Sequence, residues 1–523
     1  MFSIRSSSGR AVSATAALAA GIVVLSAQAA GQTETMTSGM RVVAGAGRGA
    51  FDGGLQVETA GSPRTTRTIT PQVNPRATNA RYVPGEVIVK FSGTSAPTSA
   101  QRDAMRALGT RNVEPIPFGD AVTLTLEPEI NVETVAGAMR ERTDVEYAQP
   151  NYLRQALFTP DDPLFNLQWN LSLIGMERTW DISPAAGESV TVAVIDSGLA
   201  FQDTQIRFQA DGFSLRGSSF PALGTVTVPF AAAFDVVSPD RIVAPFDFVW
   251  MDEVPVDMSG HGTHVAGTVG QLTDNGVGAA GVAFNVRIMP LKVLADEWDF
   301  IFGAVPACCG ASDATVAAAI RYAVEFGADV INMSLGGPDP SPVIDDAMRA
   351  AVAEGVFIVI SGGNSFAEGN PTIWPAATAA SIDGVMSVAA VDRQSRRAFY
   401  SNTGSYIEIA APGGDQRMDV FDGVLQQTLD PDFALTFELP AAQFGPPRFD
   451  VLSHLFFQGT SMAAPHVAGL AAFLISQGVT DPRVVEAGIK ATATDLGAPG
   501  NDDEFGAGLV NGAAAARGFG LAR

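Results

Sequence analysis

Residues 158–523 predict an α/β fold, a parallel sheet in a three-layer αβα arrangement, on two observations. The first is a set of short, almost wholly apolar runs: VTVAVID (190–196), VRIMPLKVL (286–294), ADVINMSL (328–335), VFIVISGG (356–363) and GVMSVAAV (384–391). Strands apolar on both faces are covered on both, as in parallel sheets. The second is the helical patterning between them, as in DATVAAAIRYAVEFG (313–327) and PVIDDAMRAAVAEG (342–355). Alternating strands and helices give a sheet with helices on each face. Ligands of such sheets sit beyond the carboxyl ends of the strands, so the residues closing each run are the first to inspect.

Three stretches precede position 158. Residues 1–30 carry Arg5 and Arg10, then apolar residues from Ala11 to Leu25, then small residues at Ala27 and Ala29. This is the pattern of an export signal cut after Ala29 or Ala30, too short and too rich in Ala, Ser and Thr for a membrane span. Residues 31–79, rich in Gly, Thr, Ser, Arg and Pro, read as a low-complexity linker. Within 80–157, a strand at Glu86–Phe91, a helix at Ala100–Leu108, a strand in AVTLTLEP (121–128), a helix at Val132–Arg142 and a strand in VEYAQPNY (145–152) predict a small α+β domain of ferredoxin-like type.

The 523 residues are 46% hydrophobic, enough for a large core. A formal charge of −23 argues against a nucleic-acid partner, which needs Lys and Arg to displace counterions. The two cysteines, Cys308 and Cys309, are adjacent, so no disulfide framework supports the fold. Free thiols and a strained vicinal bond both remain open.

In GTSMAAPHVAG (459–469) a proline interrupts a helical pattern. Proline lacks an N–H and is tolerated among the first, unpaired amides of a helix, which puts Ser461 at or beside a helix start. The pattern from Met462 to Leu474 is that of a buried helix, closed by Gly478. Ser461 is then either a cap or a nucleophile at the positive end of a helix dipole. Asp196 ends its run as a turn former or as a carboxylate facing the crevice. A neutral imidazole is the natural base near neutral pH, and the chain has four histidines. His264 and His466 fall inside helical patterns, and His454 lies in a segment without one. His261, between Gly260 and Gly262 at a helix entry, is the candidate base. The spacing of His261 and His264, without an intervening glutamate, does not suit zinc. Asn364, after Gly362 and Gly363, is a left-handed turn residue or an amide donor.

Taken in order, AVIDSG (193–198), GHGTHVAG (260–267), SGGNS (361–365) and GTSMAAPHVAG resemble the signature segments of the subtilisin-like serine proteases. Their order, Asp then His then Ser, differs from that of the chymotrypsin-like enzymes and the α/β-hydrolases. The resemblance extends over roughly 160–515, to ATATDLGAPGNDDEFGAGLVN (491–511). It implies a triad of Asp196, His261 and Ser461 with Asn364 as oxyanion donor. It implies a substrate cleft of Ser334, Leu335, Gly336 and Gly337 on one side and Ser361, Gly362 and Gly363 on the other. Residues 80–157 resemble the family's inhibitory propeptide, which occupies the cleft in cis and is cut off by the enzyme itself. QLTDNGVGAAGVA (271–283) resembles the family's calcium loop, with Asn275 as side-chain ligand, carbonyls from Thr273, Val277 and Ala279, and Gln168 and Asp203 completing the site. The implied protein is a monomeric serine endopeptidase acting on proteins or peptides, made as a precursor, exported to the periplasm or beyond the cell, and retaining no membrane anchor. Insertion-like stretches at about 200–245 and 415–455 depart from the pattern. Two rivals, a non-catalytic binding scaffold and a hydrolase-fold esterase, meet an intact triad and an Ala463 where the esterase elbow needs glycine.

Overall fold

The computed structural model describes residues 40–42, 57–59, 82–93, 97–152, 158–215, 218–236, 238–306, 308–438 and 444–519. The signal-like segment, 1–30, lies outside them, as does 31–79 apart from strands Met40–Val42 and Val57–Thr59, which pair antiparallel. Contacts divide the chain into two units, essentially Ala27–Ala156 and Leu157–Ala522. Among the described residues no helix is long and apolar enough to cross a membrane.

The smaller unit has helices Ser99–Ala107 and Val132–Arg140, capped by Thr98 and Asn131. Its four antiparallel strands run in the order Thr110–Pro115, Ala121–Leu126, Tyr82–Phe91, Val145–Tyr152. The sequence reading lacks Thr110–Pro115. That strand is an edge whose Arg111, Asn112 and Glu114 are exposed, so no apolar alternation announces it. With it the unit is β-α-β-β-α-β, the ferredoxin-like order. Val87, Val89, Leu124, Met105 and Met139 form a core of its own.

The larger unit is built on seven parallel strands: β1 (Thr191–Asp196), β2 (Phe246–Asp247), β3 (Arg287–Lys292), β4 (Val330–Met333), β5 (Phe357–Ser361), β6 (Val385–Val391) and β7 (Ile409–Pro412), in the order β2-β3-β1-β4-β5-β6-β7. The five apolar runs are β1, β3, β4, β5 and β6. The two-residue β2 and the Ala-rich β7 are too short to show periodicity. Helices α1 (His261–Gly270) and α4 (Thr460–Ser476) pack on one another and on the strands, and α2 (Asp313–Glu325) pairs with α3 (Pro342–Ala353). Ser312 caps α2, and Pro342 opens α3 where its missing N–H costs nothing. Of the 17 residues of α4 only Ser461 and Ser476 escape burial, so this helix runs through the core.

The insertion-like stretches fold onto one another. Thr204–Ala210 pairs with Gly224–Phe230, and Val424–Leu429 with Leu452–Phe457. The loop after β3 lies between them. In it the fully buried Trp298 stacks on Phe302 with centroids 5.1 Å apart, Phe302 on Phe208 at 4.2 Å, and Trp298 meets Phe437 at 5.6 Å. The Trp298 indole N–H donates to the Ala434 carbonyl at 2.7 Å. Aromatic pairing ties three segments distant in sequence into one wall.

Candidate active site

Asp196 is the last residue of β1, His261 the first of α1 and Ser461 the second of α4. All three stand at the ends of elements, Asp196 at the end of a strand and His261 and Ser461 at the starts of helices. Glycines make the approach possible. A Cβ on Gly262 would lie 2.3 Å from the Gly198 carbonyl oxygen, so only glycine lets α1 start this close to the end of β1. Gly459, at φ +153°, is the uncapped residue before α4.

Asp196 is fully buried, and its Oδ1 accepts from His261 Nδ1 at 2.7 Å and from the Ser197 amide at 2.7 Å. A carboxylate only accepts here, so Nδ1 carries the proton and Nε2 is left basic. The imidazole keeps 30% of its surface exposed. Burial works to lower its pKa, but the Asp196 carboxylate, with Asp257 behind it, more than reverses this and holds His261 above the ordinary imidazole value. The other histidines are committed elsewhere. His264 Nε2 lies 3.0 Å from the Val424 carbonyl oxygen and its ring stacks on Phe457; burial pushes its pKa down to about 3. His466 bonds Met462 and Asn170 at 2.8 Å each, and burial pushes it down to about 4. His454 lies 3.4 Å from Asp235.

Sequence reasoning missed Asp257. Fully buried, it accepts from the amides of Ser259, Gly260 and Thr263 and from the hydroxyls of Ser197 and Thr263, at 2.6–3.0 Å. It thus satisfies the orphan N–H groups at the start of α1, where Gly260 offers no side-chain cap. The only signal was an Asp four residues before His261, and many turns contain one.

Ser461 sits beside the end of β4. Its hydroxyl donates to the Ser334 carbonyl over a long 3.4 Å. Pro465 proves not to lie among the first amides but one turn into α4. Its missing N–H leaves the Ser461 carbonyl without a helical partner, and the Ser334 hydroxyl donates to that oxygen at 2.9 Å, itself accepting from Asn332 at 3.0 Å. Asn364 is exposed, and its Oδ1 accepts from the Thr460 amide at 2.8 Å and hydroxyl at 2.9 Å. This bonding turns Nδ2 the other way. A Cβ built on Gly459 would lie 3.5 Å from Asn364 Nδ2 and 3.6 Å from the Ser461 amide nitrogen, so both donors border one space that glycine leaves empty.

On the presumed cleft, Gly337 exchanges both backbone hydrogen bonds with Trp374, at 2.8 and 2.9 Å, and its peptide edge is already used. Gly336 is glycine for an internal reason: a Cβ there would meet Ile373 at 2.6 Å. Leu335 is half-buried, while Ser361, Gly362 and Gly363 are buried at the end of β5, where Gly362 packs against Ile407 and Val388.

The subtilase family model matches residues 187–508, more than half of the chain. The chain belongs to the subtilase family. A model of the fervidolysin N-terminal prodomain matches residues 68–151, so this subtilase is a subtilisin-like serine protease with a prodomain. It is 29% identical over 448 residues to a thermophilic serine proteinase of Bacillus sp. (strain AK1), covering 85% of this chain and 90% of that one. It is 34% identical to subtilisin DY of Bacillus licheniformis, over 53% of this chain and 85% of that one. It is 30% identical to an extracellular protease of Xanthomonas campestris, over 81% and 70% of the two chains. Fervidolysin of Fervidobacterium pennivorans, a solved structure at 24% identity, superposes with a TM-score of 0.50, over 83% of this chain and 61% of its own, and bears on the fold alone.

Two residues expected as calcium ligands of the 271–283 loop are hydrogen-bonded otherwise. Gln168 is spent on Ala280 and on the Leu425 carbonyl, and Asp203 accepts from the Ala232 amide in the insertion. Two other buried carboxylates hold the loop. Asp162 accepts from the amides of Asp274 at 2.8 Å and Asn275 at 3.5 Å, and Asp235 from Asn275 Nδ2 at 3.1 Å and the Ala279 amide at 3.0 Å. Burial raises the pKa of Asp162, and the charge of Asp235 adds to this. Asp235 also accepts from Gln271 Nε2, so a hard divalent cation bound at this loop would replace some of these donors on the two carboxylates. The Asn275 amide oxygen, which accepts from the Val277 amide at 2.8 Å, would join them only by turning over.

Proposed function

We propose that this serine protease hydrolyses peptide bonds through Asp196, His261 and Ser461; the 2.7 Å contact of Asp196 with His261 Nδ1 is the observation that carries the reading, and the helices that carry His261 and Ser461 pack on one another. An extended peptide adds as a strand along Ser334–Gly336. The Ser461 hydroxyl gives up its long bond to the Ser334 carbonyl and passes its proton to His261 Nε2 as its oxygen attacks the scissile carbonyl. Asp196 holds the tautomer and stabilises the imidazolium. The oxyanion enters the space beside Gly459, between Asn364 Nδ2 and the Ser461 amide. His261 then protonates the leaving amine, and water releases the acyl group by the same steps.

The finer biology belongs to the same proposal. The chain is a monomeric precursor exported from the cell, and its prodomain is removed by its own active site. A structural calcium ion would be held by Asp162, Asp235, Asn275 and the carbonyls of Thr273, Val277 and Ala279, and would add rigidity to the loop. Incubation of the wild-type protein with a fluorophosphonate labels Ser461, and Ser461→Ala abolishes both labelling and loss of the prodomain. Processing of a purified Ser461→Ala precursor on its own would sink the proposal.

A further inference from the structure

The chain's only cysteines, Cys308 and Cys309, are exposed and joined to each other by a disulfide. A disulfide stabilises by closing a loop in the unfolded chain, and one between neighbours closes none. The pair therefore does nothing for the fold. It stands instead next to a third donor: both sulfurs and a Glu297 carboxylate oxygen lie within 4.8 Å of one another. The loop that carries them is held at both ends. Ala295 and Gly310 exchange backbone hydrogen bonds of 2.9 and 2.8 Å, Asp296 caps the turn Glu297–Ile301, and Trp298 is locked in the aromatic wall. The loop leaves the sheet beside the triad, since the Asp196 carbonyl accepts from the amides of Val293 at 2.8 Å and Leu294 at 3.1 Å.

We propose that Cys308 and Cys309, once reduced, form with Glu297 a site for a thiophilic divalent cation of the zinc and cadmium class. Ligand atoms about 2.0–2.3 Å from such an ion stand roughly 3.3–3.8 Å apart in a tetrahedral site, so the cluster closes with small side-chain shifts. Three protein donors leave the fourth position open. A dithiol reductant supplies two electrons and two protons: the sulfur–sulfur bond breaks, two thiols form, and the reductant becomes a disulfide. The cation then displaces both thiol protons. The site is thus open in the reduced form and closed in the oxidised one.

The test titrates Cd²⁺ into the full chain carrying Ser461→Ala, which prevents self-digestion, before and after reduction by a phosphine. The reduced protein binds one equivalent with the ultraviolet charge-transfer band of cadmium thiolate, and the oxidised protein shows no band. The double variant Cys308→Ser, Cys309→Ser loses the band, as does the reduced chain after its thiols are blocked with iodoacetamide, which changes no residue of the sequence. Glu297→Gln keeps the band but weakens binding at least tenfold. Reduced protein without a band, a band that survives the serines or the blocking, or a Glu297→Gln affinity equal to that of the parent would each overturn the site.

Discussion

The triad end of the sheet and the aromatic wall beside it are built in opposite ways. At the triad, a few polar groups are set by the ends of rigid elements, each within a short contiguous motif, and little apolar area depends on them. In the wall, Phe208, Trp298, Phe302 and Phe437 come from three separate segments and hold mainly by packing, with one indole hydrogen bond. The difference teaches that chemistry and cohesion are divided between neighbouring regions, so substitutions separate them.

The largest effect falls on the triad. Asp196→Asn lowers kcat/KM by about 10⁴, the cost carried by the aspartate in subtilisin and chymotrypsin-type triads, while the melting temperature barely moves. In the parent, the acid limb of the kcat/KM profile lies above pH 6.5, because Asp196 raises His261 and only the neutral imidazole accepts a proton. The variant shifts that limb downward. A large loss of stability in Asp196→Asn would break the division.

Trp298→Ala is the converse. It deletes a fully buried side chain and an indole hydrogen bond, and costs about 3–5 kcal/mol of stability, read by denaturant unfolding. The rate per active site, counted by fluorophosphonate titration on a small peptide, stays near that of the parent.

Next comes Asn364→Leu, which removes one oxyanion donor and lowers kcat by about 10² to 10³ with KM little changed, the subtilisin magnitude. A change confined to KM would mean that Asn364 binds the ground state.

The smallest effect tests the polar floor of the wall. Burial pushes Asp296 up to about 8 and Asp247 up to about 7, with Lys292 paired to Asp299 at 2.8 Å between them. Carboxyls raised in the folded state hold protons that the unfolded chain releases above about pH 4, so they cost no stability below that pH and progressively more as it climbs to about 8. Asp296→Asn keeps the helix cap and loses less of its melting temperature between pH 5 and pH 9 than the parent does. Equal losses would refute the assignment.

What was legible follows the same division. Asp196, His261, Asn364 and Ser461 sit in motifs whose geometry is local, and the five apolar runs became the strands they predicted. Asp162 and Asp235 escaped notice because their partners lie far away in sequence, and Asp257 because an Asp shortly before a Gly looks like any turn former. Gln168 and Asp203 were assigned to the 271–283 loop by resemblance alone; Gln168 bonds Ala280 of that loop and the Leu425 carbonyl, and Asp203 accepts from the Ala232 amide. Thr110–Pro115 was missed for its polarity; the insertions were located but their strand pairs were not foreseen. Pro465 led to the right place for Ser461 on an incorrect premise, since an orphaned carbonyl can be satisfied from another strand.

That orphaned carbonyl couples docking to attack. In the proposed reading, the Ser334 hydroxyl ties the peptide-binding segment to the turn that presents Ser461. A substrate too bulky to seat flush displaces the reacting oxygen along with itself, so poor fit is punished in turnover as well as in affinity.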